Sequence, residues 1–400
     1  MRLPLIFVIA TTVIDSMGIG LILPVMPALL REVSNIPLAD AALYGGVLVT
    51  AFAFMQFLFG PIIGSLSDRY GRRPVMLISL LVMALDYIVM AMAGAFWVLL
   101  VGRMVGGVAA ATQSTAAAFM ADISKPEEKA ARFGMIGAAF GMGFVFGPLL
   151  GGLLAEFGTR APFYAAAALA ATNLVFGYFV MPETLKPENR RPLTLARANP
   201  LGAFKNVSAT PQLRRLLWLF FLYQVAFMVY PAIWAFFTEA RFGWSPRMIG
   251  ISLGAFGIAM AIVQGGLIRL ILKWFGDRGT IIYGLAFNFF AFLVLAFVES
   301  GTLAIIFIPL TALGAVVTPA VQGMMSRATS DNSQGELQGV LSSTAALATI
   351  ISPLIMTQIF ATFAREDASY YLPGAPFLVS MSLMVVCAFV FLTPSREKTV

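Results

Sequence analysis

Residues 64–74 read Gly64-Ser65-Leu66-Ser67-Asp68-Arg69-Tyr70-Gly71-Arg72-Arg73-Pro74, a short charged run between two long apolar stretches. Gly71 permits a sharp turn, and Pro74 suits the first turn of a helix. Asp68 lies close to several arginines with which it could form an ion pair. The run therefore predicts a tight turn between two helices, with a spacing more specific than that of an ordinary basic loop.

The apolar stretches on either side recur through the whole chain and set the class of protein. Of the 400 residues, 60% are hydrophobic and only 11% are charged, whereas a soluble domain carries about 25% charged residues. Apolar stretches of about 20 residues, long enough to cross a bilayer, follow one another along the chain. We therefore predict an all-α membrane protein with twelve transmembrane helices. The predicted helices are residues 4–30, 42–66, 74–94, 96–121, 130–155, 161–181, 214–238, 247–272, 279–299, 302–325, 336–362 and 374–393.

The longest polar interruption, residues 182–213, divides these helices into two groups of six. Glycines and prolines of the first group recur in the second at an offset near 205 residues, as Pro148 and Pro353 do. Duplicated six-helix halves are a known transporter plan. We expect two pseudo-symmetric six-helix bundles, residues 1–181 and 214–400, joined by a cytoplasmic linker at 182–213.

Basic residues are distributed unevenly over the predicted loops and indicate the orientation. With both termini inside, 20 of the 26 Lys and Arg residues lie on the inner side and five on the outer side. Both termini and the linker are therefore expected in the cytoplasm. The net charge of +7 then reflects topology and contact with anionic membrane lipids, and no nucleic-acid partner is predicted. The apolar start of the chain is too long for a signal-peptide core, so we expect a retained first helix in the cell inner (plasma) membrane.

Charged side chains inside the apolar segments are costly, at least about 2.5 kcal/mol each on insertion scales, and therefore indicate function. Asp86 and Arg103 flank a predicted outer turn at Gly94-Ala95 at similar distances along the chain. Both would lie about 12 Å below the outer end of an antiparallel helix pair. We predict an ion pair or a shared polar cavity, in which Asp86 carries a proton and Arg103 tunes it. A static pair that only holds two helices together is the alternative.

Asp15, near the middle of the first predicted helix, is a second candidate for proton coupling. A carboxyl group in a low-dielectric setting can load and release protons. The alternative is a carboxyl group that serves only as a hydrogen-bonding partner of a neighbouring helix.

The fifth predicted helix carries glycines three or four residues apart. The residues that form this helix-packing pattern are Gly143, Gly147, Pro148, Gly151 and Gly152. Such glycines make a smooth helix face, and the proline bends the helix, which suits a helix that rocks against a neighbour. Static close packing is the alternative.

A ligand cavity is predicted from amide and aromatic side chains that fall inside apolar helices. The candidate substrate-binding residues are Gln56, Gln113, Gln224, Tyr223, Phe227, Tyr230, Trp234, Gln264, Asn288 and Gln322. Amides and aromatic rings suit a largely apolar organic ligand held by a few oriented hydrogen bonds. For any single aromatic side chain, packing against lipid is the alternative.

Other kinds of chemistry find little support in the sequence. The chain has one cysteine, Cys387, and no histidine, so neither a disulfide framework nor a thiolate or histidine metal site is predicted. No phosphate-binding loop of the Gly-x-x-x-x-Gly-Lys-Ser/Thr form and no nucleophile elbow in a suitable context occur. We therefore predict that the protein is not an enzyme and needs no cofactor or metal.

Several of these motifs resemble those of the major facilitator superfamily. The run Gly64–Pro74 resembles its signature between helices 2 and 3, and Arg103-Met104-Val105-Gly106-Gly107 resembles its helix 4 signature. Gly143–Gly152 resembles the helix 5 signature of its antiporters, and Asp15–Pro27 resembles helix 1 of the drug/proton antiporter branch. Within that branch, the order and spacing are most similar to the tetracycline/proton antiporters.

The resemblance implies roles for matching positions. Asp15, Asp86 and Arg103 match the membrane-embedded polar residues of the family. The residues matching its cytoplasmic conformational gate are Gly64, Asp68, Arg69, Gly71, Arg72, Arg73 and Asp122. Where tetracycline carriers have a helix 8 histidine and a helix 9 aspartate, this sequence has Met260 and Asn288. The departures argue against recognition of a tetracycline–metal complex and assign proton coupling to the first half.

The sequence therefore predicts a proton-coupled antiporter that exports a small, partly apolar organic compound, such as a drug, by alternating access. Its expected partners are that substrate, protons and membrane lipids, and the protein is expected to be a monomer. A uniporter or proton symporter for a nutrient or metabolite is the first alternative. A non-transporting receptor or scaffold on the same fold is the second.

Overall fold

The computed structural model describes residues 2–110, 112–125, 128–190, 211–330 and 333–393. Within these ranges the regular structure is helical, and no β-strand occurs. In chain order the helices are α1 (Arg2–Ile22), α2 (Met26–Ser34), α3 (Leu38–Tyr70), α4 (Arg72–Ala91), α5 (Phe96–Ala109), α6 (Thr112–Asp122), α7 (Lys129–Leu154), α8 (Ala161–Val180), α9 (Pro211–Phe227), α10 (Val229–Phe242), α11 (Pro246–Ile262), α12 (Ile268–Phe297), α13 (Gly301–Thr311), α14 (Val317–Arg327), α15 (Gln334–Ala364) and α16 (Ala375–Leu392).

Ten helical stretches of the described chain are long and apolar enough to cross a bilayer. One of them, Pro246–Phe297, contains two passes, because Gly276 takes a non-helical conformation within it. A shorter apolar helix, Phe96–Ala109, belongs to a further pass. Together these account for the twelve predicted membrane segments.

The structure corrects the continuity of the predicted segments, because four of them consist of two helices each. A fifth, 247–272, consists of α11, the π-helical turn Val263–Leu267 and the start of α12. The paired helices are α1 with α2, α5 with α6, α9 with α10, and α13 with α14. Prolines lack the N–H group that would continue a helix, and Pro24 lies in the 3₁₀ turn Leu23–Val25 that separates α1 from α2. Pro309 similarly precedes the 3₁₀ turn Ala312–Gly314 between α13 and α14.

Some helices also continue beyond the predicted limits. The second segment was expected at 42–66, but α3 extends over Leu38–Tyr70. Apolar composition ends where the hydrocarbon ends, whereas the helical backbone continues into the polar interface. The end of α3 is set by Gly71, whose φ of 110° lies in a region that side chains other than glycine rarely adopt.

Contacts group the chain into two compact units. The first comprises Met1–Pro200 and Trp244–Gly254, and the second comprises Leu201–Gly243 and Ala255–Val400. The grouping of Trp244–Gly254, which includes the start of α11, with the first unit was not indicated by the repeat pattern. The division into 1–181, 182–213 and 214–400 remains a prediction.

Within each unit, two helix–helix contacts are the most extensive. In the first unit α1 lies against α7, and α4 lies against α8. In the second unit α16 lies against α12 and α9. Phe7, Met76 and Phe119 belong to a buried apolar cluster that joins α1, α4 and α6 in the first unit.

Candidate functional site

Three charged side chains of the first unit line one cavity, to which Asp15 comes from α1, Asp86 from α4 and Arg103 from α5. Each of these residues is at most 7% exposed. Phe52 and Gln56 of α3 complete part of the wall. The cavity has room for about one water molecule, so it can hold protons and water but not a drug-sized compound.

Arg103 is held at the cavity by an aromatic ring. Its guanidinium carbon lies 4.8 Å from the centre of the Phe52 ring, a cation–π distance. Asp86 and Arg103 also attract each other electrostatically. Arg103 Nε is buried and has no hydrogen-bond partner within the described part of the chain.

Two glycines of α5 make room for the Asp86 carboxylate. A Cβ atom at Gly102 would lie 2.8 Å from Asp86 Oδ1, and one at Gly106 would lie 2.6 Å from Oδ2. The two glycines lie one helical turn apart, on the helix that also carries Arg103. Gly102 has no predicted role in the sequence analysis, although its spacing of four residues from Gly106 was a signal in the sequence.

Tyr87 is a further cavity residue that the sequence analysis missed. It directly follows Asp86 and is 5% exposed. Its hydroxyl group lies against Gly18 of α1, where a side chain would overlap with it. The signal in the sequence was a tyrosine beside a membrane-embedded acid, opposite a helix that carries a glycine three residues after Asp15.

Arg72 is the central cation of the predicted gate. It is 8% exposed, and its Nη1 atom lies 2.5 Å from Asp68 Oδ1 and 2.7 Å from Ser67 Oγ. Its Nε atom lies 3.3 Å from Asp122 Oδ2. The structure thus brings Asp68, Arg72 and Asp122 together and links α3, α4 and α6 within the first unit.

Glu183, which follows α8, completes this turn and was missed in the sequence analysis. Its carboxylate accepts hydrogen bonds from the backbone N–H groups of Arg72 (2.9 Å) and Arg73 (3.2 Å). It lies against Gly71, where any side chain would overlap with it. A carboxylate is stabilising at the start of a helix, here α4, because the free N–H groups there carry partial positive charge. Its distance of more than 100 residues from Arg72 gave no local signal.

The remaining predicted gate residues lie around this network. Arg73 Nη2 donates to the Tyr178 carbonyl at 2.7 Å. Arg69 lies over the Tyr70 ring at 5.2 Å, and the Gly64 carbonyl accepts from Ser67 Oγ at 2.8 Å. These contacts position the turn, and its function as a gate remains a prediction.

The glycines of α7 form a stripe that lies directly on α1. Side chains at Gly143, Gly147 and Gly151 would overlap with the α1 backbone between Val13 and Leu21. On another side of α7, a Cβ atom at Gly152 would lie 2.6 Å from the Pro246 carbonyl oxygen and 3.0 Å from Gly250 Cα. The predicted close approach is present, and movement at this contact remains a prediction.

The predicted ligand-binding amides lie in different settings. Gln56 lines the cavity and donates to the Ala110 carbonyl at 3.4 Å. Gln224 Oε1 accepts from Thr318 at 3.2 Å. Gln264 is exposed and Gln322 is half-buried. The side chain of Gln113 lies outside the described residues.

The predicted ligand-binding aromatics belong to the interior of the second unit. Tyr223, Tyr230 and Trp234 are each at most 3% exposed, and Phe227 is half-buried. Tyr230 contacts Phe227 and Trp234, with ring centres 5.3 Å and 6.3 Å away. In this arrangement the rings pack on one another, and their contact with a ligand remains a prediction.

Asn288 lies at the centre of a buried hydrogen-bond network in the second unit. Its Nδ2 atom donates to the carbonyl oxygens of Gly284 and Gly314, each at 2.8 Å, and lies 3.3 Å from the Tyr223 hydroxyl. The Tyr223 hydroxyl itself donates to Gly314 at 3.2 Å. The amide nitrogen is therefore engaged with the protein, whereas Oδ1 is buried without a hydrogen-bond partner in the described part of the chain, and a role in binding substrate remains a prediction.

Comparison with known proteins identifies a family with the same architecture. The model of the Major Facilitator Superfamily matches residues 8–314 and 216–400. The class C tetracycline resistance protein of Escherichia coli is 41% identical over 96% of this chain and 95% of its own length. The class G tetracycline resistance protein of Vibrio anguillarum is 38% identical over 91% of this chain and 92% of its own length.

Solved structures are similar to this chain over almost its full length. The human organic anion transporter MFSD10 (TETRAN) superimposes with a TM-score of 0.71 at 27% identity, covering 98% of this chain and 99% of that one. The nucleoside transporter NupG gives a TM-score of 0.79 at 12% identity over the whole of both chains. At that identity NupG supports the fold alone.

Proposed function

Because the chain belongs to the major facilitator superfamily, we propose that it is a proton-coupled antiporter that exports a small, partly apolar organic drug by alternating access. The predicted family and its multi-pass helical membrane fold are confirmed by the matches above. Relatives named for tetracycline resistance support drug efflux. A tetracycline-like compound is therefore the first substrate to test, although Met260 and Asn288 replace the histidine and aspartate of tetracycline carriers.

The observation that carries this proposal is the cavity lined by Asp15, Asp86 and Arg103. Two carboxylates and one guanidinium have a net charge of −1, and one bound proton makes the site neutral. A net charge is unfavourable in a low-dielectric interior. Binding of that proton therefore changes whether the site is more stable in apolar or in water-exposed surroundings. Coupling then requires that protons and drug favour different access states of the transporter.

The remaining predicted residues supply the movement and the substrate contacts in this proposal. The turn around Arg72 is the cytoplasmic gate, and the α7 glycine stripe is the surface that slides. The amides and aromatics predicted from the sequence bind the drug. We place the protein in the inner membrane with both termini in the cytoplasm, as a monomer that is neither an enzyme nor dependent on a cofactor.

The alternatives predict different driving forces. A symporter would take up its substrate when protons flow inward, and a uniporter would ignore the pH gradient. A receptor or scaffold would move no substrate at all. The buried charges favour a proton-coupled carrier over the last of these.

The test is transport in proteoliposomes with an imposed pH gradient. We expect tetracycline to move against the proton flow, and movement to stop when an ionophore removes the gradient. Asp86→Asn keeps the shape of the side chain but removes its charge. It should lower the rate of gradient-driven transport at least tenfold, which corresponds to an activation free energy raised by more than about 1.4 kcal/mol.

The matched control is Asp367→Asn, the same substitution at an exposed residue after α15. It should leave transport unchanged. Gradient-driven transport that survives in the Asp86→Asn protein would show that this carboxylate does not couple protons to the substrate.

A further inference from the structure

We propose that the Tyr87 hydroxyl and Arg103 Nε hold a water molecule in the cavity between Asp15 and Asp86, and that Tyr87 is a positioning residue for proton transfer there. The inference rests on the proposed proton-coupled function and deepens it. It assigns a role to a residue that no resemblance singled out.

The position of Tyr87 supports this role. The residue lines the cavity together with all three charged residues, Asp15, Asp86 and Arg103. Because Gly18 has no side chain, the hydroxyl reaches the surface of α1, the helix that carries Asp15. Tyr87 therefore connects α1 with α4 at the level of the charged groups.

Arg103 supplies the second, independent observation. The residue is only 7% exposed, and its Nε–H group has no acceptor within the described part of the chain. A buried donor without a partner is unfavourable unless water satisfies it. The adjoining cavity has room for about one water molecule, and polar groups that could bind it line the wall.

The chemistry requires a hydroxyl group rather than a ring. A phenol both donates and accepts hydrogen bonds, as water does. When the water receives a proton from one carboxyl group, it can release another to the second carboxylate, and Tyr87 holds it in place through a hydrogen bond. No bond other than O–H is formed or broken, and Tyr87 and Arg103 keep their own protons.

Tyr87→Phe tests this role, because it removes the hydroxyl and keeps the ring. We expect the initial rate of gradient-driven transport to fall at least about tenfold. Substrate counterflow at equal pH on both sides needs no net proton transfer, so its rate should stay within about twofold of wild type. A purely structural tyrosine would give a loss of both rates together, and that result would overturn the proposal, as would two unchanged rates.

Two further variants sharpen the experiment. Tyr44→Phe is the matched control, because Tyr44 is 36% exposed and packs on Phe96 away from the cavity residues, so both rates should remain. Gly18→Ala displaces the Tyr87 hydroxyl from the other side and should reproduce the loss of driven transport with counterflow retained. Wild-type protein without any gradient-driven transport would overturn the proposed function itself, whereas wild-type behaviour of Tyr87→Phe would overturn only the assignment of Tyr87.

Discussion

The interiors of the two units differ in the charges they contain. The first unit buries Asp15, Asp86 and Arg103 around one cavity. The buried polar side chains described in the second unit are all neutral: Thr238, Thr280, Asn288, Thr311, Thr344, Ser352, Thr357 and Ser380. A change of charge can therefore be used in one unit, while the other is held by hydrogen bonds that do not titrate.

The repeat also contains one ion pair with its polarity reversed. Arg72 pairs with Asp122 in the first unit, and Asp277 and Arg327 lie 205 residues after them and pair at 2.5 Å in the second. Gly71 and Gly276, also 205 residues apart, both have positive φ values beside these pairs. The contact is thus maintained in both units, although the acid and the base have exchanged places.

The glycine stripe of α7 has no glycine counterpart at the equivalent positions of α15. In the first unit the α7 stripe at Gly143, Gly147 and Gly151 lets α1 approach its backbone. The residues at the same offset in α15 are Ala348, Ser352 and Met356, which are all fully buried. Ser352 instead donates a hydrogen bond to the Val225 carbonyl of α9 at 2.7 Å. Helix packing in the first unit therefore relies here on direct contact between backbones, whereas the second unit has packed side chains at the equivalent positions.

The largest loss of stability is expected from substitutions in the α7 glycine stripe, which the second unit lacks. Gly147→Leu would overlap with the α1 backbone, which cannot move aside as a side chain can, and should destabilise the protein by about 3 kcal/mol. Thermal unfolding in detergent or the yield of folded protein measures this. Gly141→Leu is the matched control on the same helix, because a Cβ there has no neighbour within 4 Å. Equal stability of the two variants would contradict the role of the stripe.

A smaller effect is expected from exchanging acid and amide between the units. Asn288→Asp removes two donated hydrogen bonds and turns a carboxylate towards the Gly284 and Gly314 carbonyls, and should cost about 2–3 kcal/mol of stability. Asp86→Asn removes a buried charge but also the attraction that this charge exerts on Arg103, so these two effects oppose each other and its unfolding temperature should stay close to that of wild type. A stable Asn288→Asp protein would show that the second unit also accepts charge.

The smallest effect concerns the reversed ion pairs. The Arg72 side chain is 9% exposed and binds three partners, whereas the Arg327 side chain is 60% exposed and pairs with Asp277. We expect Arg72→Ala to cost about 2 kcal/mol and Arg327→Ala less than about 1 kcal/mol in unfolding experiments. Exchanging the charges of the second pair, by Asp277→Arg together with Arg327→Asp, should restore wild-type stability. Equal costs for the two alanine variants would mean that burial does not distinguish the pairs.

Much of this molecule could be predicted from local sequence. Bilayer-length apolar stretches gave the membrane segments, because the hydrocarbon allows few polar residues at those positions. The rarity of intramembrane charge singled out Asp15, Asp86 and Arg103, and the turn at Gly94-Ala95 related the depths of the last two. The helix breaks between α1 and α2 and between α13 and α14 were missed, because prolines are common in membrane helices and do not always interrupt them.

Contacts between distant parts of the chain could not be predicted in the same way. Nothing near Arg72 indicates that Glu183 will cap its helix, and the spacing of Gly102 and Gly106 marks a smooth helix face without indicating that the Asp86 carboxylate will lie against it. The sequence alone determined that this is a helical membrane protein with a few ions in its apolar segments, because the cost of charge in hydrocarbon applies to each segment separately. Only the tertiary structure decided which helix faces which, and hence that Asp15, Asp86, Tyr87 and Arg103 share one cavity, because that arrangement depends on the packing of several helices at once.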